Sequence, residues 1–240
     1  MRTEVRIAGF GGQGIVLAGA ILGEAAIMAG MEAVQTQSYG PESRGGAARS
    51  EVVISEQAVD SPRVACPDVL VVLSTAAMEK YGEDLGKNTS IVVDDDLVQM
   101  EVPGAERVPF SMTADDLGRR IVANIVMLGF ITNRFQLVPR RSMEQSVLKR
   151  IPKGTEELNL GAFQAGWDLA DGKRPRAPEK TSKGSKKDAK KRKGGTKDGK
   201  KAGKGTGKKA GKKTGKKAGN KTGEKAGKKG SRTKKKGGGS

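Results

Sequence analysis

The chain is 240 residues long, and its formal net charge of +18 is the sum of two very different parts. Residues 173–240 carry 29 Lys and Arg against 4 Asp and Glu, whereas residues 1–172 carry a net charge of −7. The chain has no histidine and one cysteine, which excludes a histidine-dependent catalytic triad, a disulfide framework and an iron–sulfur cluster held by this chain alone.

Composition predicts two regions. Residues 1–172 contain enough Val, Ile, Leu and Ala for one hydrophobic core of ordinary domain size. Residues 173–240 have almost no apolar side chain larger than alanine. Because burial there cannot offset the conformational entropy lost on folding, we expect a disordered, Lys/Gly/Ala-rich tail. No segment approaches the roughly 20 apolar residues of a membrane span, and none resembles a signal peptide, which predicts a cytoplasmic protein.

The first region alternates predicted strands and helices. We expect strands at residues 5–8, 33–37, 50–55, 68–73, 90–94 and 106–110. We expect helices at residues 15–30, 75–80, 117–132, 143–150 and 156–169, the last one capped by Thr155. This order predicts an α/β fold, a Rossmann-like open and mostly parallel sheet with flanking helices.

A glycine motif joins the first strand to the first helix. Gly9, Gly11 and Gly14 match the pattern G-x-G-x-x-G, with Gly12 and Gln13 between them. The first glycine allows a tight turn, the second lets a phosphate approach the backbone, and the third allows close packing of helix and strand. We therefore predict that these five residues bind the phosphates of a cofactor at the helix N-terminus. The alternative is that the glycines serve only the turn and the packing.

A dinucleotide site also needs an acidic residue at the end of the second strand, to bind the ribose. That strand ends in Gln35-Thr36-Gln37, and the nearest acid, Glu32, precedes it. This argues against bound NAD.

A second glycine-rich loop, Ser38-Tyr39-Gly40-Pro41-Glu42-Ser43-Arg44-Gly45-Gly46, follows the second strand. Arginine binds phosphate or carboxylate, tyrosine offers a ring and a hydroxyl, and paired glycines allow close approach of a ligand or another chain. The candidate cofactor-binding residues of this loop are Ser38, Tyr39, Arg44, Gly45 and Gly46, and Arg49 is a further candidate cation. The alternative is an interface loop without a ligand, and both roles are compatible.

Two other features are interpreted as structural. The run Asp94-Asp95-Asp96 has the composition of a divalent-cation site, but such runs are more often solvated strand ends. Cys66 is expected to be a half-buried structural thiol beside Pro67. We assign no catalytic residue and no metal ligand to this chain.

The two glycine motifs, the strand at residues 50–55, the segment Asn124-Ile125-Val126-Met127-Leu128-Gly129 and the segment Glu156-Glu157-Leu158-Asn159 occur in the same order as in a known family. Over residues 3–170 the chain resembles the gamma subunit of 2-oxoacid:ferredoxin oxidoreductases. Its Gln-Ser-Tyr-Gly-Pro-Glu loop is most similar to the 2-oxoglutarate type. Pyruvate-type and branched-chain or indolepyruvate-type enzymes stay open as alternatives.

The resemblance implies a chain that is inactive alone and works with alpha and beta subunits, with or without a delta subunit. Such complexes use thiamine diphosphate, Mg²⁺, iron–sulfur clusters and coenzyme A, and pass electrons to ferredoxin. The gamma subunit is implied to help close the active site. Its residues Gly11 to Gly14 and Arg44 are implied to line a crevice for the pyrophosphate of coenzyme A, or to pack against the alpha subunit beside it.

The basic tail departs from this family, whose gamma subunits end near Leu169. Its Lys-Lys-Ala-Gly repeats predict non-specific, salt-sensitive binding of a polyanion such as nucleic acid, without base stacking, because no aromatic residue lies among the lysines. The alternative is a solubilising extension without a specific partner. Two other function classes stay open for the whole chain: a free Rossmann-like nucleotide-binding protein, and a nucleic-acid-binding protein that works through its tail.

Overall fold

Six strands form one sheet, and helices cover both of its faces. The structure is a computed structural model that describes residues 2–38, 46–83 and 85–173. The predicted basic tail and most of the second glycine-rich loop, including Tyr39, Arg44 and Gly45, lie outside the described residues. The predicted domain boundary at residue 172 and the predicted disorder of the tail therefore stay predictions.

The elements alternate along the chain much as the sequence predicts. In order they are β1 (Arg2–Phe10), α1 (Ile15–Met28), β2 (Glu32–Gln37), β3 (Ala47–Ser55), β4 (Val69–Val72), α2 (Thr75–Tyr81), β5 (Ser90–Asp94), β6 (Glu106–Val108), α3 (Phe110–Asp116), a 3₁₀ turn (Arg120–Val122), α4 (Ala123–Phe135), α5 (Arg140–Arg150) and α6 (Glu156–Ala170). None of these helices has the length and apolar character needed to cross a membrane.

The sheet has the strand order β2-β3-β1-β4-β5-β6. Strands β1, β4, β5 and β6 are parallel neighbours, whereas β3 is antiparallel to both β1 and β2. Strand β2 therefore runs parallel to β1, and only β3 is reversed between them. This confirms the predicted α/β fold with an open, mostly parallel sheet.

Each face of the sheet packs a separate hydrophobic cluster, because side chains alternate along a strand. The larger cluster lies beneath α1, α3, α4, α5 and α6 and receives Ile7, Val52 and Val71 from the sheet. The smaller cluster lies beneath α2 and receives Ala8 and Val72. Burial on both faces explains why β4 and β5 are continuous apolar runs rather than alternating ones.

Helices α4 and α6 pack with their backbones in contact. A Cβ atom added at Gly166 of α6 would lie 1.8 Å from the carbonyl oxygen of Val126, and one added at Gly129 of α4 would lie 2.1 Å from that of Phe163. On the neighbouring helix pair, Glu24 of α1 forms ion pairs with Lys149 and Arg150 of α5. Hydrogen bonding to Lys149, and then to Arg150, lowers the pKa of Glu24.

Three predicted features differ in detail. The predicted helix at residues 117–132 begins only at Ala123. Gly118, just after α3, has φ +87°, a left-handed backbone conformation that interrupts a right-handed helix. The predicted strand at residues 106–110 ends at Val108, and Phe110 begins α3. Thr155 does occupy the N-cap position of α6, but its hydroxyl donates to the Pro152 carbonyl instead of accepting a helix N–H.

Candidate functional site

The ends of the two glycine-rich loops meet at one edge of the sheet. Strands β1 and β2 end at this edge and β3 begins there, with Phe10 paired to Ala47 in the register of β1 and β3. The backbone N–H of Gly11 donates to the carbonyl of Gly46 at 2.8 Å, which joins the two loops directly. Of the second loop, Ser38 and Gly46 are described, and the hydroxyl of Ser38 accepts a hydrogen bond from the N–H of Arg49.

The side chain of Gln13 holds the first loop in place. Its Oε1 accepts from the N–H of Phe10 at 2.5 Å, and its Nε2 donates to the carbonyl of Leu73 after β4 at 2.8 Å. A Cβ atom at Gly9 would lie 2.6 Å from this Oε1, so the glycine leaves room for the glutamine. Gln13 therefore stabilises the conformation of the loop backbone, which is a role that the motif alone does not indicate.

Gly12 and Gly14 need glycine for different reasons. Gly12 has φ +104° and nothing within 4 Å of a Cβ position, so its backbone faces open space. Gly14 has φ +72°, and a Cβ atom there would lie 2.4 Å from Nδ2 of the buried Asn124, which donates to the Gly14 carbonyl at 3.3 Å. The third glycine of the motif thus allows close packing, here against α4.

The N-terminus of α1 is open to an anion. Gly14 occupies its N-cap position without a side-chain hydrogen bond, and the first turn contains no acidic residue. The first N–H groups of a helix carry partial positive charge and lack acceptors within the helix. This end of α1 has the chemistry that the G-x-G-x-x-G motif predicts.

Two clefts flank Gly12. The first, of about 210 Å³, is lined among others by Gly12, Gln13, Ser111, Arg120 and Ile121. The second, of about 260 Å³, is lined among others by Phe10, Gly11, Gly12, Gly14 and Leu17. Three of the lining side chains are large, apolar and exposed: Phe10, Leu17 and Ile121. The edge therefore combines a polar backbone with an apolar border.

The three aspartates at the end of β5 and directly after it each bind protein groups. Asp94 is fully buried and accepts from the N–H groups of Asp96 and Leu97 and from the N–H and hydroxyl of Ser111, which ties β5 to α3. Asp95 pairs with Arg107, and Asp96 pairs with Arg120. In the described residues, no three acidic or cysteine side chains converge as metal ligands would.

The end of β2 carries the side-chain amides of Gln35 and Gln37 rather than a carboxylate, as the sequence indicates. Gln35 donates from Nε2 to the carbonyl of Val16 and to the hydroxyl of Ser50, which fastens α1 to β2 and β3. Glu32 is the first residue of β2 and therefore lies at the opposite edge from the glycine loops. A carboxylate for a ribose does not come from this strand.

A buried ion pair that no sequence motif indicates lies on the face of the sheet opposite α1. Arg6 donates from Nε to Oε1 of Glu51 at 2.8 Å, and the two side chains are 4% and 8% exposed. The remaining guanidinium N–H groups donate to three backbone carbonyls, those of Val64, of Tyr81 at the end of α2, and of Glu83. The only signal in the sequence is one charged residue in each of the predicted strands at residues 5–8 and 50–55.

Arg49 lies beside this pair rather than free in the crevice. Its Nη1 is 3.7 Å from Oε1 of Glu51, and its guanidinium carbon is 5.3 Å from the centre of the Tyr81 ring. With 39% of its side chain exposed, it is a weaker candidate for ligand binding than its sequence position suggests. The expectation for Cys66 was wrong, because the thiol is exposed.

Comparison with known proteins identifies the family. The model of the family described as "Pyruvate ferredoxin/flavodoxin oxidoreductase" matches residues 4–169. The 2-oxoglutarate synthase subunit KorC of Methanocaldococcus jannaschii is 50% identical in a 177-residue alignment that covers 71% of this chain and 95% of the relative. The subunit of the same name from Methanothermobacter marburgensis is 47% identical in a 180-residue alignment that covers 70% of this chain and 97% of the relative.

Among solved structures, the gamma subunit of a keto/oxoacid ferredoxin oxidoreductase from Geobacter sulfurreducens superposes with a TM-score of 0.66. It is 44% identical, and the match covers 72% of this chain and 98% of that one. Family description, relatives and fold agree on the region that contains both glycine loops. The chain therefore belongs to the pyruvate ferredoxin/flavodoxin oxidoreductase family.

Proposed function

We propose that this chain is the gamma subunit of a 2-oxoacid:ferredoxin oxidoreductase, and that the oxoacid is 2-oxoglutarate. The observation that carries the proposal is the 50% identity to a 2-oxoglutarate synthase subunit across 95% of that subunit's length. In the proposed reaction the complex decarboxylates the oxoacid, transfers the acyl group to coenzyme A and passes two electrons to ferredoxin. Pyruvate and branched-chain or aromatic oxoacids are the alternative substrates.

The residues of this chain fit a supporting rather than a catalytic role. It has no histidine, and its one cysteine, Cys66, cannot supply the roughly four thiolates of an iron–sulfur cluster. We assign thiamine diphosphate, Mg²⁺ and the clusters to the alpha and beta subunits, with or without a delta subunit. The cytoplasmic location expected from the sequence is part of the same proposal.

We assign the pyrophosphate of coenzyme A to the glycine-loop edge. The uncapped N-terminus of α1 offers N–H donors, and the backbone at Gly12 faces open space, so a phosphate has room to approach. Gln13 holds that backbone in position through its bonds to Phe10 and Leu73. Arg44, outside the described residues, belongs to the loop whose last residue, Gly46, is bonded to Gly11.

Arg44→Ala tests this assignment in the assembled enzyme. A charge-assisted hydrogen bond to phosphate contributes about 1.5–3 kcal/mol, so we expect the KM for coenzyme A to rise by about tenfold or more. The KM for the oxoacid should change much less. Steady-state kinetics with each substrate varied in turn measures both. Arg63→Ala, in the exposed loop between β3 and β4 at the opposite edge, is the matched control. Equal effects of Arg44→Ala on both KM values would indicate an assembly defect instead.

Purification of the tagged chain under anaerobic, reducing conditions tests the function itself. We expect partner subunits to co-purify, with the brown colour of iron–sulfur clusters and with dye reduction that depends on 2-oxoglutarate and coenzyme A. Dye reduction that is faster with pyruvate or a branched-chain oxoacid would reassign the substrate. A colourless single chain with bound nucleotide would contradict the proposal and favour a free nucleotide-binding protein.

The basic tail supports a second function, binding of nucleic acid. It carries 29 basic residues in 68, with no aromatic side chain among them. Release of counterions from a polyanion makes such binding strong at low salt and independent of base sequence. We therefore propose that the tail associates with nucleic acid without reading its sequence.

Retention on immobilised DNA, with and without residues 173–240, tests this second function. We expect only the full chain to bind, with affinity falling by about 10³-fold or more between 50 and 200 mM salt. A full-length variant with lysine replaced by glutamine at Lys208, Lys209, Lys212, Lys213, Lys216 and Lys217 should show a shallower salt dependence. Equal retention of the full and shortened chains would rule out a role for the tail and leave it as a solubilising extension.

A further inference from the structure

The side chain of Tyr81 is bonded to the sheet at the point where the second glycine-rich loop ends. Tyr81 is the last residue of α2 and is 9% exposed. Its hydroxyl donates to the backbone carbonyl of Ala47 at 2.9 Å. Ala47 is the first residue of β3 and directly follows Gly46, the last residue of that loop. This bond therefore connects α2, on the face of the sheet opposite α1, to the end of the loop.

The Ala47 carbonyl takes no part in the pairing of β3 with β1. Phe10 lies opposite Ala47, and the N–H of Gly11 bonds to the carbonyl of Gly46 instead. In such a pair of an antiparallel ladder, the N–H and C=O groups of both residues point away from the partner strand. The described pairing of β3 with β2 begins only further along β3. The Tyr81 hydroxyl thus satisfies a carbonyl that the described part of the sheet leaves without a donor.

The ring of Tyr81 is held in place independently of this bond. The guanidinium carbon of Arg49 is 5.3 Å from the centre of the ring, and Nζ of Lys80 is 5.4 Å from it. Cations at these distances are attracted to an aromatic face. The ring also belongs to the smaller hydrophobic cluster beneath α2. The hydroxyl is therefore presented from a fixed position, and removing it alone leaves the other contacts of the ring in place.

Helix α2 is bonded to the first glycine loop as well, at its other end. Ser74 is the N-cap residue of α2, and the carbonyl of Leu73 just before it accepts from Gln13 at 2.8 Å. The first loop is thus tied to the start of this seven-residue helix, and the end of the second loop is tied to its last residue, Tyr81. Because a helix has a fixed rise per residue, α2 sets the separation of the two loops.

We propose that Tyr81 is a positioning residue for the binding of coenzyme A. Its hydroxyl holds the start of β3, and with it the end of the loop that contains Arg44, at a fixed position relative to the first loop. This inference rests on the proposed function, which assigns the phosphates of coenzyme A to the two loops. It adds a residue that acts through the second loop rather than through contact with the coenzyme.

Tyr81→Phe in the assembled enzyme tests this role, because it removes the hydroxyl and keeps the ring. The matched control is Ser146→Ala, which removes another buried hydroxyl that donates to a backbone carbonyl, that of Ile21, at 2.7 Å. That bond joins α5 to the middle of α1 and contacts neither loop. Steady-state kinetics gives the KM for each substrate and kcat, and isothermal titration calorimetry gives the Kd for coenzyme A without turnover.

We expect Tyr81→Phe to raise both the KM and the Kd for coenzyme A by about three- to tenfold, which is the contribution of one neutral hydrogen bond. The KM for the oxoacid and kcat at saturating coenzyme A should stay close to the wild-type values. Ser146→Ala should leave all four quantities close to wild type. A Kd for coenzyme A that rises equally in Tyr81→Phe and in the control would reflect a general loss of stability and would overturn the inference.

The double variant Arg44→Ala/Tyr81→Phe shows whether Tyr81 acts through the loop. Two residues that act through one contact are not additive, so Tyr81→Phe should raise the Kd for coenzyme A less when Arg44 is absent. Fully additive effects would overturn the inference, and so would a wild-type Kd in Tyr81→Phe when Arg44→Ala does raise it. A wild-type Kd in Arg44→Ala would contradict the proposed assignment of coenzyme A to this edge, and this inference with it.

Discussion

The Gly166→Ala protein is expected to lose about 3 kcal/mol of its free energy of unfolding. The added Cβ atom would lie 1.8 Å from the carbonyl oxygen of Val126, 2.7 Å from its carbonyl carbon and 2.9 Å from the nitrogen of Phe130. All three are backbone atoms of α4, so no side-chain rotation relieves the clash. The helices must move apart, and overpacking of this kind costs about 1–3 kcal/mol and sometimes more.

Gly161→Ala is the matched control for this prediction. Gly161 lies on the same helix, α6, but nothing is within 4 Å of its Cβ position. Because alanine has a higher helix propensity than glycine by about 1 kcal/mol, this variant should be slightly more stable than wild type. Equilibrium denaturation in urea measures both variants. Equal stability of Gly166→Ala and wild type would mean that α4 and α6 do not make this backbone contact.

The elements that the sequence predicts well are those whose signal is local. Strand β5 occurs at Ser90–Asp94 as predicted, because a continuous apolar run between polar residues indicates a strand buried on both faces. The helix predicted at residues 117–132 is shorter because a single glycine in a helical pattern is ambiguous. Gly118 adopts φ +87° and separates α3 from the 3₁₀ turn, which depends on packing around it rather than on its neighbours in sequence.

The candidate site is predictable in its outline but not in its contacts. The G-x-G-x-x-G motif predicts a loop between β1 and α1, and the structure places Gly11 to Gly14 there, whereas Gly9 is still paired within β1. The bonds of Gln13 to Leu73 and of Asn124 to Gly14 connect residues that are 60 and 110 positions apart, and no spacing rule indicates them. The exposed side chains around Gly12 are not apparent either, since Phe10, Leu17 and Ile121 are ordinary apolar residues until their exposure is known.

The second large effect is expected at the buried ion pair of Arg6 and Glu51. Glu51→Leu leaves the Arg6 guanidinium charged and nearly inaccessible to water, and Arg6→Met leaves the buried Glu51 carboxylate with only the longer ionic contact to Arg49. Loss of one partner of a buried pair costs about 3–5 kcal/mol, because the other charge is no longer compensated. Each single variant should therefore unfold at a much lower denaturant concentration than wild type.

The double variant Arg6→Met/Glu51→Leu separates charge compensation from packing. With both charges removed, the loss of stability should be clearly smaller than the sum of the two single losses, by about 2 kcal/mol or more. Some loss should persist, since Arg6 also donates to the carbonyls of Val64, Tyr81 and Glu83, which would lose a donor. Additive effects would show that the two side chains do not interact.

An exposed ion pair of similar geometry supplies the control. Arg134 and Glu106 are 3.1 Å apart, with side chains 51% and 42% exposed. Because water already solvates both charges, Glu106→Leu should cost less than about 1 kcal/mol of the free energy of unfolding.

Glu51 also accepts from the hydroxyl of Thr36, two residues before the second glycine-rich loop begins. If the buried pair positions that loop, Thr36→Val should raise the KM for coenzyme A in the assembled enzyme while leaving stability within about 1 kcal/mol of wild type. An unchanged KM would restrict the pair to holding the strands together.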